Sequence, residues 1–396
     1  MPLAAKQAAA PPSPDAAPIR VMLVDDSAIV RGLVGRWVDG ESDLEIVARC
    51  VNGADAVRDV KACRAEVVVL DIEMPQMDGL SALPKLLKAS PGLRVVMSST
   101  LTDRNADISL KALELGASDY VCKPSSRDLA GASVFRTELI GKVKALGRAY
   151  RRNLGGAGGV PFPGERRVAP PPKKPYPNER RRTLKTPEET SVPDFSLRAP
   201  KAAPAEIIAI GSSTGGPQAL KSVLEFLSGK TRLPILIVQH MPKTFTSILA
   251  EHLTKATEFQ CQEGASGLPI RPGNIYVAPG GQHMVVANKS GQRVIELNDA
   301  PPENFCRPAV DPMFRSVAKH YGPACVAVIL TGMGSDGALG GGDIAKTGAP
   351  IIAQDKHTSV VWGMPGAAAT AGICSAVLPL NKIGPHLLEK CRGVKS

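Results

Sequence analysis

Side chains able to attack a carbonyl stand in "GSSTGG", residues 211–216, between the apolar run "EIIAIG" and "PQALKSVLEFL", which has helical spacing. "GSSTG" fits G-x-S-x-G with Ser213 at its centre, on a strand-to-helix corner whose glycines permit a tight turn. Ser213 is the candidate nucleophile. Backbone N–H groups from Thr214 onward, and that of Met333, are candidates for receiving an oxyanion, helped by the helix N-terminus. A serine needs a base, and His240 ends the next apolar run, "LPILIVQH". The base needs an orienting acid, and Asp336 follows "ACVAVILTG". Each residue alone could cap a helix or sit in an ordinary loop. At three strand ends together they point to acyl transfer from an ester.

Two rival readings of these loops fail on physical grounds. "GSSTGG" lacks the G-x-x-x-x-G-K-[ST] spacing of a phosphate loop. "GMGSDG", residues 332–337, fits G-x-G-x-x-G, but Asp336 would compete with a pyrophosphate for the same backbone donors. The order Ser…His…Asp also differs from the Ser…Asp…His order of α/β-hydrolases.

A second set of reactive groups lies near the N-terminus. Asp25 and Asp26 follow "IRVMLV", Asp71 ends "AEVVVL", Ser99 and Thr100 follow "LRVVM", and Lys123 follows "SDYVC". Three carboxylates on one edge repel one another unless a cation joins them, and oxygen-only ligands suit Mg²⁺. A lysine and a hydroxyl at neighbouring strand ends could hold phosphoryl oxygens. The chemistry implied is phosphoryl transfer onto an aspartate.

These residues need a scaffold that gathers strand ends. Continuous apolar strands alternate with amphipathic helices over residues 19–145 and again over 205–394, which predicts two α/β domains with parallel, doubly wound sheets. Such sheets bind ligands at the carboxyl ends of their strands. Pro84 is tolerated if its helix begins at Ser81, where it falls in the first turn. Between the domains, residues 146–204 read as a basic, Pro-rich, disordered linker. Residues 151–205 hold 12 Lys and Arg, 5 Asp and Glu, and 11 prolines, a net charge of +7 out of +11 for the chain. No aromatic-interleaved surface accompanies that charge, so no nucleic-acid partner is expected. No apolar run is long enough to span a membrane, and the N-terminus lacks the pattern of a secretory signal. The eight scattered cysteines read as reduced thiols, and the expected location is cytoplasmic.

"VDDS", "LDIEMPQMDG" and "VCKP" resemble the response-regulator receiver family, over nearly all of residues 19–145. The resemblance implies a flavodoxin-like fold with a five-stranded sheet. It also implies phosphorylation of Asp71, Mg²⁺ on Asp25, Asp26 and Asp71, a phosphoryl contact from Lys123, and a switch hydroxyl on Ser99 or Thr100. "IAIGSSTGGP", "QHMP", "RPAVDPMF", "ILTGMGSDG" and "WGMPG" resemble the chemotaxis protein-glutamate methylesterase family, over 205–380. That likeness implies Ser213, His240 and Asp336 as the triad, with no cofactor in the esterase site. The implied substrates are glutamate methyl esters and glutamines of methyl-accepting chemoreceptors, and the implied phosphodonor is a chemotaxis histidine kinase. Where the family usually shows one serine this chain has Ser212 and Ser213, and a histidine common before "RP" is Cys306 here. The alternative is a non-enzymatic response regulator whose C-terminal domain only binds a partner.

Overall fold

The computed structural model describes residues 17–100, 102–124, 129–155, 195–201 and 203–391. The N-terminal unit alternates β1 (Ile19–Val24), α1 (Ala28–Asp39), β2 (Leu44–Cys50), α2 (Gly53–Asp59), β3 (Val67–Asp71), α3 (Gly79–Ala89), β4 (Arg94–Thr100), α4 (Asp103–Glu114), β5 (Asp119–Lys123) and α5 (Leu129–Gly155). Its five strands lie in the order β2-β1-β3-β4-β5, all parallel. β3, "VVVLD", is buried at every residue, as a strand covered by helices on both faces must be. The parallel order brings Asp25, Asp71, Ser99, Thr100 and Lys123 to one edge.

α3 begins at Gly79, earlier than the Ser81 start that the proline suggests. The Asp78 side chain accepts from the Ser81 N–H at 2.7 Å and fixes the N-cap there. Gly79 passes so close to β3 that an added Cβ would meet the Asp71 carbonyl oxygen. Pro84 therefore falls in the second turn and costs the Leu80 carbonyl its helical partner. Burial of Ala82, Leu83 and Leu86 offsets that loss.

The C-terminal unit comprises β6 (Ile207–Ser212), α6 (Gly216–Leu227), β7 (Ile235–Gln239), α7 (Lys243–Ala256), β8 (Gln260–Glu263), β9 (Asn274–Val277), β10 (His283–Lys289), β11 (Gln292–Asn298), α8 (Val310–Tyr321), β12 (Cys325–Ile329), α9 (Ala338–Thr347), β13 (Ile351–Gln354), α10 (Met364–Thr370), β14 (Ala376–Leu378) and α11 (Leu380–Cys391). A seven-stranded parallel sheet runs β14-β13-β12-β6-β7-β9-β8. β10 and β11 form a separate antiparallel hairpin. From β6 the chain proceeds to β7 on one side, and β12 leads to β13 on the other. The crevice at such a switch point, above the carboxyl ends of β12, β6 and β7, is where an open parallel sheet binds ligands.

Both ends of the expected linker belong to folded units. α5 continues to Gly155, because Leu146 and Ala149 stay buried and Arg151 pairs with Glu66 at 2.8 Å. Arg198 donates from its backbone N–H to the Cys374 carbonyl at 3.0 Å and from Nε to that of Ile373 at 2.7 Å. Residues 156–194, the rest of the expected linker, lie outside the described residues. All eight cysteines are unpaired, and no described helix is long and apolar enough to cross a membrane.

The two units touch. The Tyr120 ring at the end of the first sheet stacks on Phe245 of α7, centroids 4.3 Å apart and 3° from parallel. Gln218 of α6 donates to the carbonyls of Leu113 and Ala117, at 2.7 and 2.8 Å. Lys221–Glu114 and His252–Asp107 ion pairs lie on the same side, at 2.9 and 3.1 Å. On α5, Gly141 comes so near Met333 that a Cβ there would sit 3.3 Å from its terminal methyl.

Candidate active site

Ser213 stands on a tight turn directly after β6. Its carbonyl accepts from the Gly216 N–H at 2.7 Å, across Thr214 and Gly215. Gly215 has φ 75° and ψ 0°, the left-handed conformation that a type II turn demands of its third residue. Gly216 is required by crowding, since a Cβ would lie 1.9 Å from the Gln239 side-chain oxygen. α6 then starts with no side-chain cap; its first N–H, that of Gly216, is taken by the turn, and Pro217 has none.

The neighbouring serine is spoken for. The Ser212 hydroxyl is fully buried and donates to Gln239 Oε1 at 2.7 Å, while Gln239 Nε2 donates back to the Ser213 carbonyl at 2.9 Å. Gln239 thus clamps the loop through both of its amide atoms. Nothing in its position before His240 marks it as a clamp; only the fold brings it under the serine turn.

His240 follows β7, and its Nε2 lies 2.7 Å from Asp336 Oδ2. Asp336 is 1% exposed. It also accepts N–H groups from Val310 at 2.6 Å, Asp311 at 3.0 Å and Gly337 at 3.0 Å, and from Asn304 Nδ2 at 3.1 Å. Asn304 Nδ2 is shared with Asp311 Oδ2 at 2.9 Å. Burial pushes the Asp336 carboxyl up, but the imidazole and these N–H donors outweigh it and hold the acid below its ordinary value. Burial likewise pulls the His240 imidazole down, and Asp336 and Cys306 outweigh that and hold it above its ordinary value.

The other ring nitrogen, Nδ1, faces Cys306 Sγ at 3.5 Å. Among the described residues the Ser213 hydroxyl makes no hydrogen bond to the imidazole. The thiol occupies the nitrogen that a serine nucleophile must use. Thr214 is buried with its hydroxyl unpartnered, and Met333 is 37% exposed. Thr214 follows Ser213 in the turn, its carbonyl accepting from the Thr331 hydroxyl at 2.9 Å, and Gly332, the residue before Met333, passes so close that a Cβ there would sit 2.9 Å from the Ser213 Cβ.

In the first sheet, ligand oxygens of Asp25, Asp26 and Asp71 lie within 4.8 Å of one another. Lys123 Nζ bridges Asp25 Oδ2 and Asp71 Oδ1 at 2.8 and 2.7 Å. Burial raises the Asp71 carboxyl to about 6, against the pull of Lys123. Thr100 is exposed, and its hydroxyl accepts from Asn105 at 2.6 Å. Ser99 is 1% exposed and receives the Ser109 hydroxyl of α4 at 3.2 Å.

Residues 208–387 match the family described as CheB methylesterase, and residues 21–133 match the response regulator receiver domain. A protein-glutamate methylesterase/protein-glutamine glutaminase 1 of Paramagnetospirillum magneticum is 52% identical over 96% of this chain and 97% of its own. The chain belongs to the CheB methylesterase family. A second member, from the group 2 operon of Rhodopseudomonas palustris, is 49% identical over 96% of both chains. The solved catalytic domain of Thermotoga maritima CheB methylesterase is 39% identical over 47% of this chain and 99% of its own, with a TM-score of 0.46.

For this methylesterase the clamp and the thiol each yield a measurement. Ser212→Ala leaves the buried Gln239 oxygen unpaired and should lower unfolding stability by about 1–3 kcal/mol in a denaturant titration. An unchanged midpoint would mean that the clamp does not hold the loop. Cys306→Val keeps the bulk but removes one of the two groups that raise the His240 imidazole, so the ring should titrate at lower pH. Histidine ring proton shifts in an NMR pH series would show this, and an unmoved midpoint would dismiss the thiol as a partner.

Proposed function

We propose that this chain hydrolyses glutamate methyl esters on chemoreceptor proteins, releasing methanol, and deamidates their glutamines, under control of phosphorylation at Asp71. The observation that carries the reading is the buried Asp336–His240 pair beside a glycine-framed serine at the ends of β12, β7 and β6. A module that only binds a partner has no use for a buried carboxylate aligning an imidazole next to a half-buried serine on a tight turn.

The geometry supports the following steps. Ser213 Oγ attacks the ester carbonyl once Nδ1 has exchanged Cys306 for the serine hydroxyl. His240 takes the serine proton, and Asp336 keeps the ring oriented and stabilises the imidazolium. The oxyanion forms against backbone N–H groups beside Ser213, with those of Thr214 and Met333 as its candidate donors. His240 returns the proton to departing methanol, or to ammonia from a glutamine. Water then attacks the acyl-serine with His240 again as base.

In the receiver, Asp25, Asp26 and Asp71 offer oxygen donors that fit Mg²⁺, and Lys123 balances part of their charge. The ion would neutralise charge on the phosphoryl group as it passes from a histidine kinase to Asp71. Ser99 is the switch hydroxyl: Thr100 is held by Asn105, whereas Ser99 reaches α4 through Ser109. α4 packs against α6 and α7, so a change at Ser99 arrives at the face that holds the two units together. With Met333 lying against α5, the unphosphorylated receiver walls one side of the site and restrains it. The receiver unit is taken as residues 17–155 and the catalytic unit as 195–391.

Methanol release from methylated receptor membranes tests the whole reading. Ser213→Ala should lower the rate by about 10⁴-fold or more, while Ser212→Ala, though less stable, should keep most of it. A dead Ser212→Ala and an active Ser213→Ala would reverse the assignment. Residues 195–396 alone should outpace the unphosphorylated full chain, and a phosphodonor should speed only the full chain. Equal rates throughout would make the receiver a passive neighbour.

Asp71→Asn should take up no phosphate from kinase or small donor. Because Asp71 sits at about 6, above its unfolded value, the protein without metal loses stability as pH rises through that range. A cation needs the ionised form, so Mg²⁺ should raise the thermal midpoint at about pH 7.5 and have little effect at about pH 5. An equal effect at both values would remove Asp71 from the ligand set.

A further inference from the structure

We infer that Phe305 is the residue by which the enzyme grips the protein that carries the ester, on apolar side chains beside the esterified glutamate. This rests on the esterase reading and adds how the site selects a protein over a small ester.

Glu303 and Cys306 exchange both backbone hydrogen bonds, at 3.1 and 2.9 Å, and close a two-residue hairpin over Asn304 and Phe305. Both central residues have positive φ, 51° and 61°, as a type I′ turn requires. Glycine is the residue that the second position favours, and a bulky side chain there is strained. This chain places phenylalanine there, and its ring is 104% exposed. The ring buries nothing, so no folding gain explains the strain. It stays open even though the receiver is packed on the same domain.

The turn is also rigidly based. Asn304 donates to Asp336 and Asp311, and Cys306 lies against His240 Nδ1. The residues on either side of Phe305 therefore touch the acid and the base of the triad. Glu303 pairs with Arg315 of α8, and Arg307 donates to the Asp299 carbonyl at 3.0 Å. An aromatic ring held on so stiff a mount loses little freedom on contact, which is how binding anchors work. Leu339, 73% exposed and three residues beyond Asp336, adds apolar surface on the α9 side of the triad acid. A free amino-acid ester cannot reach such a contact. A protein surface presenting an esterified glutamate among apolar neighbours can.

The full chain and its Phe305→Ala, Phe305→Gly and Phe305→Tyr variants should be compared on two substrates, methylated receptor membranes and an N-acyl glutamate γ-methyl ester. Phe305→Ala should raise KM for receptor by about 10-fold, the scale of one anchor residue. The small ester should be hydrolysed at the wild-type kcat/KM. Phe305→Tyr should behave as wild type. Phe305→Gly should melt higher than wild type, because the turn is relieved, and still lose receptor affinity. That combination separates recognition from damage to the fold. Unchanged receptor kinetics in both Phe305→Ala and Phe305→Gly would overturn the proposal. So would a parallel fall on the small ester, which would assign Phe305 to shaping the site. If the wild type cleaves neither ester, the esterase reading itself fails, and this inference with it.

Discussion

The Asp336 carboxylate sets the terms for the catalytic unit. A buried charge is costly unless it is fully hydrogen-bonded, and this one is met by three backbone N–H groups, an amide and an imidazole. Those donors come from the start of α8, the turn at Asn304, the start of α9 and the end of β7. Satisfying one anion therefore fixes four segments around it. The same requirement places His240, and through the strand pairing of β6 with β7 it places the turn that bears Ser213. Asp311 repeats the device one step out: its Oδ1 takes the N–H groups of Gly337 and Gly340 and secures the start of α9.

Both units use the same topology for different chemistry. Parallel strands buried on both faces leave their polar residues only at the ends. The receiver gathers carboxylates and a lysine there, and the catalytic unit gathers a serine, a histidine and an aspartate. What separates a phosphoryl site from an acyl site is therefore not the sheet but the loop after each strand. In the first unit Asp25 and Asp71 remain held by Lys123, a pair that a metal and a phosphoryl group can reorganise. In the second, glycines at 215 and 216 bring the backbone close enough for Gln239 to brace the nucleophile's turn.

How much of this was legible in the sequence depends on the range of the interaction. The strands "VVVL" and "IIAIG" announce themselves by apolar content, and Ser213, His240 and Asp336 by ending such runs. The start of α3 is not legible from its proline, which suggests a later N-terminus, because the Asp78 cap and the tight passage of Gly79 decide it. The ends of the linker are hard to read because basic residues such as Arg151 and Arg198 look solvent-bound in sequence, yet each finds partners far along the chain. The short strands β8 and β14 and the β10–β11 hairpin carry weaker apolar patterns. Gln239, Asn304 and Asp311 could not have been chosen in advance, since their roles exist only once distant loops meet.

Cys306 shows how a departure from a family pattern gains meaning from geometry. In sequence it marks only the loss of an expected histidine. In the structure its sulfur lies against the base, on the nitrogen that must receive the Ser213 proton. Sulfur makes weak hydrogen bonds and this contact is long, at 3.5 Å, so a serine hydroxyl arriving with substrate can displace it. The resting imidazole is then aligned by Asp336 on one side and provisionally occupied on the other. The lasting partner holds the ring's orientation, and the exchangeable one gives way when catalysis begins. This division keeps both ring nitrogens occupied while the site waits, and frees Nδ1 when the serine hydroxyl arrives.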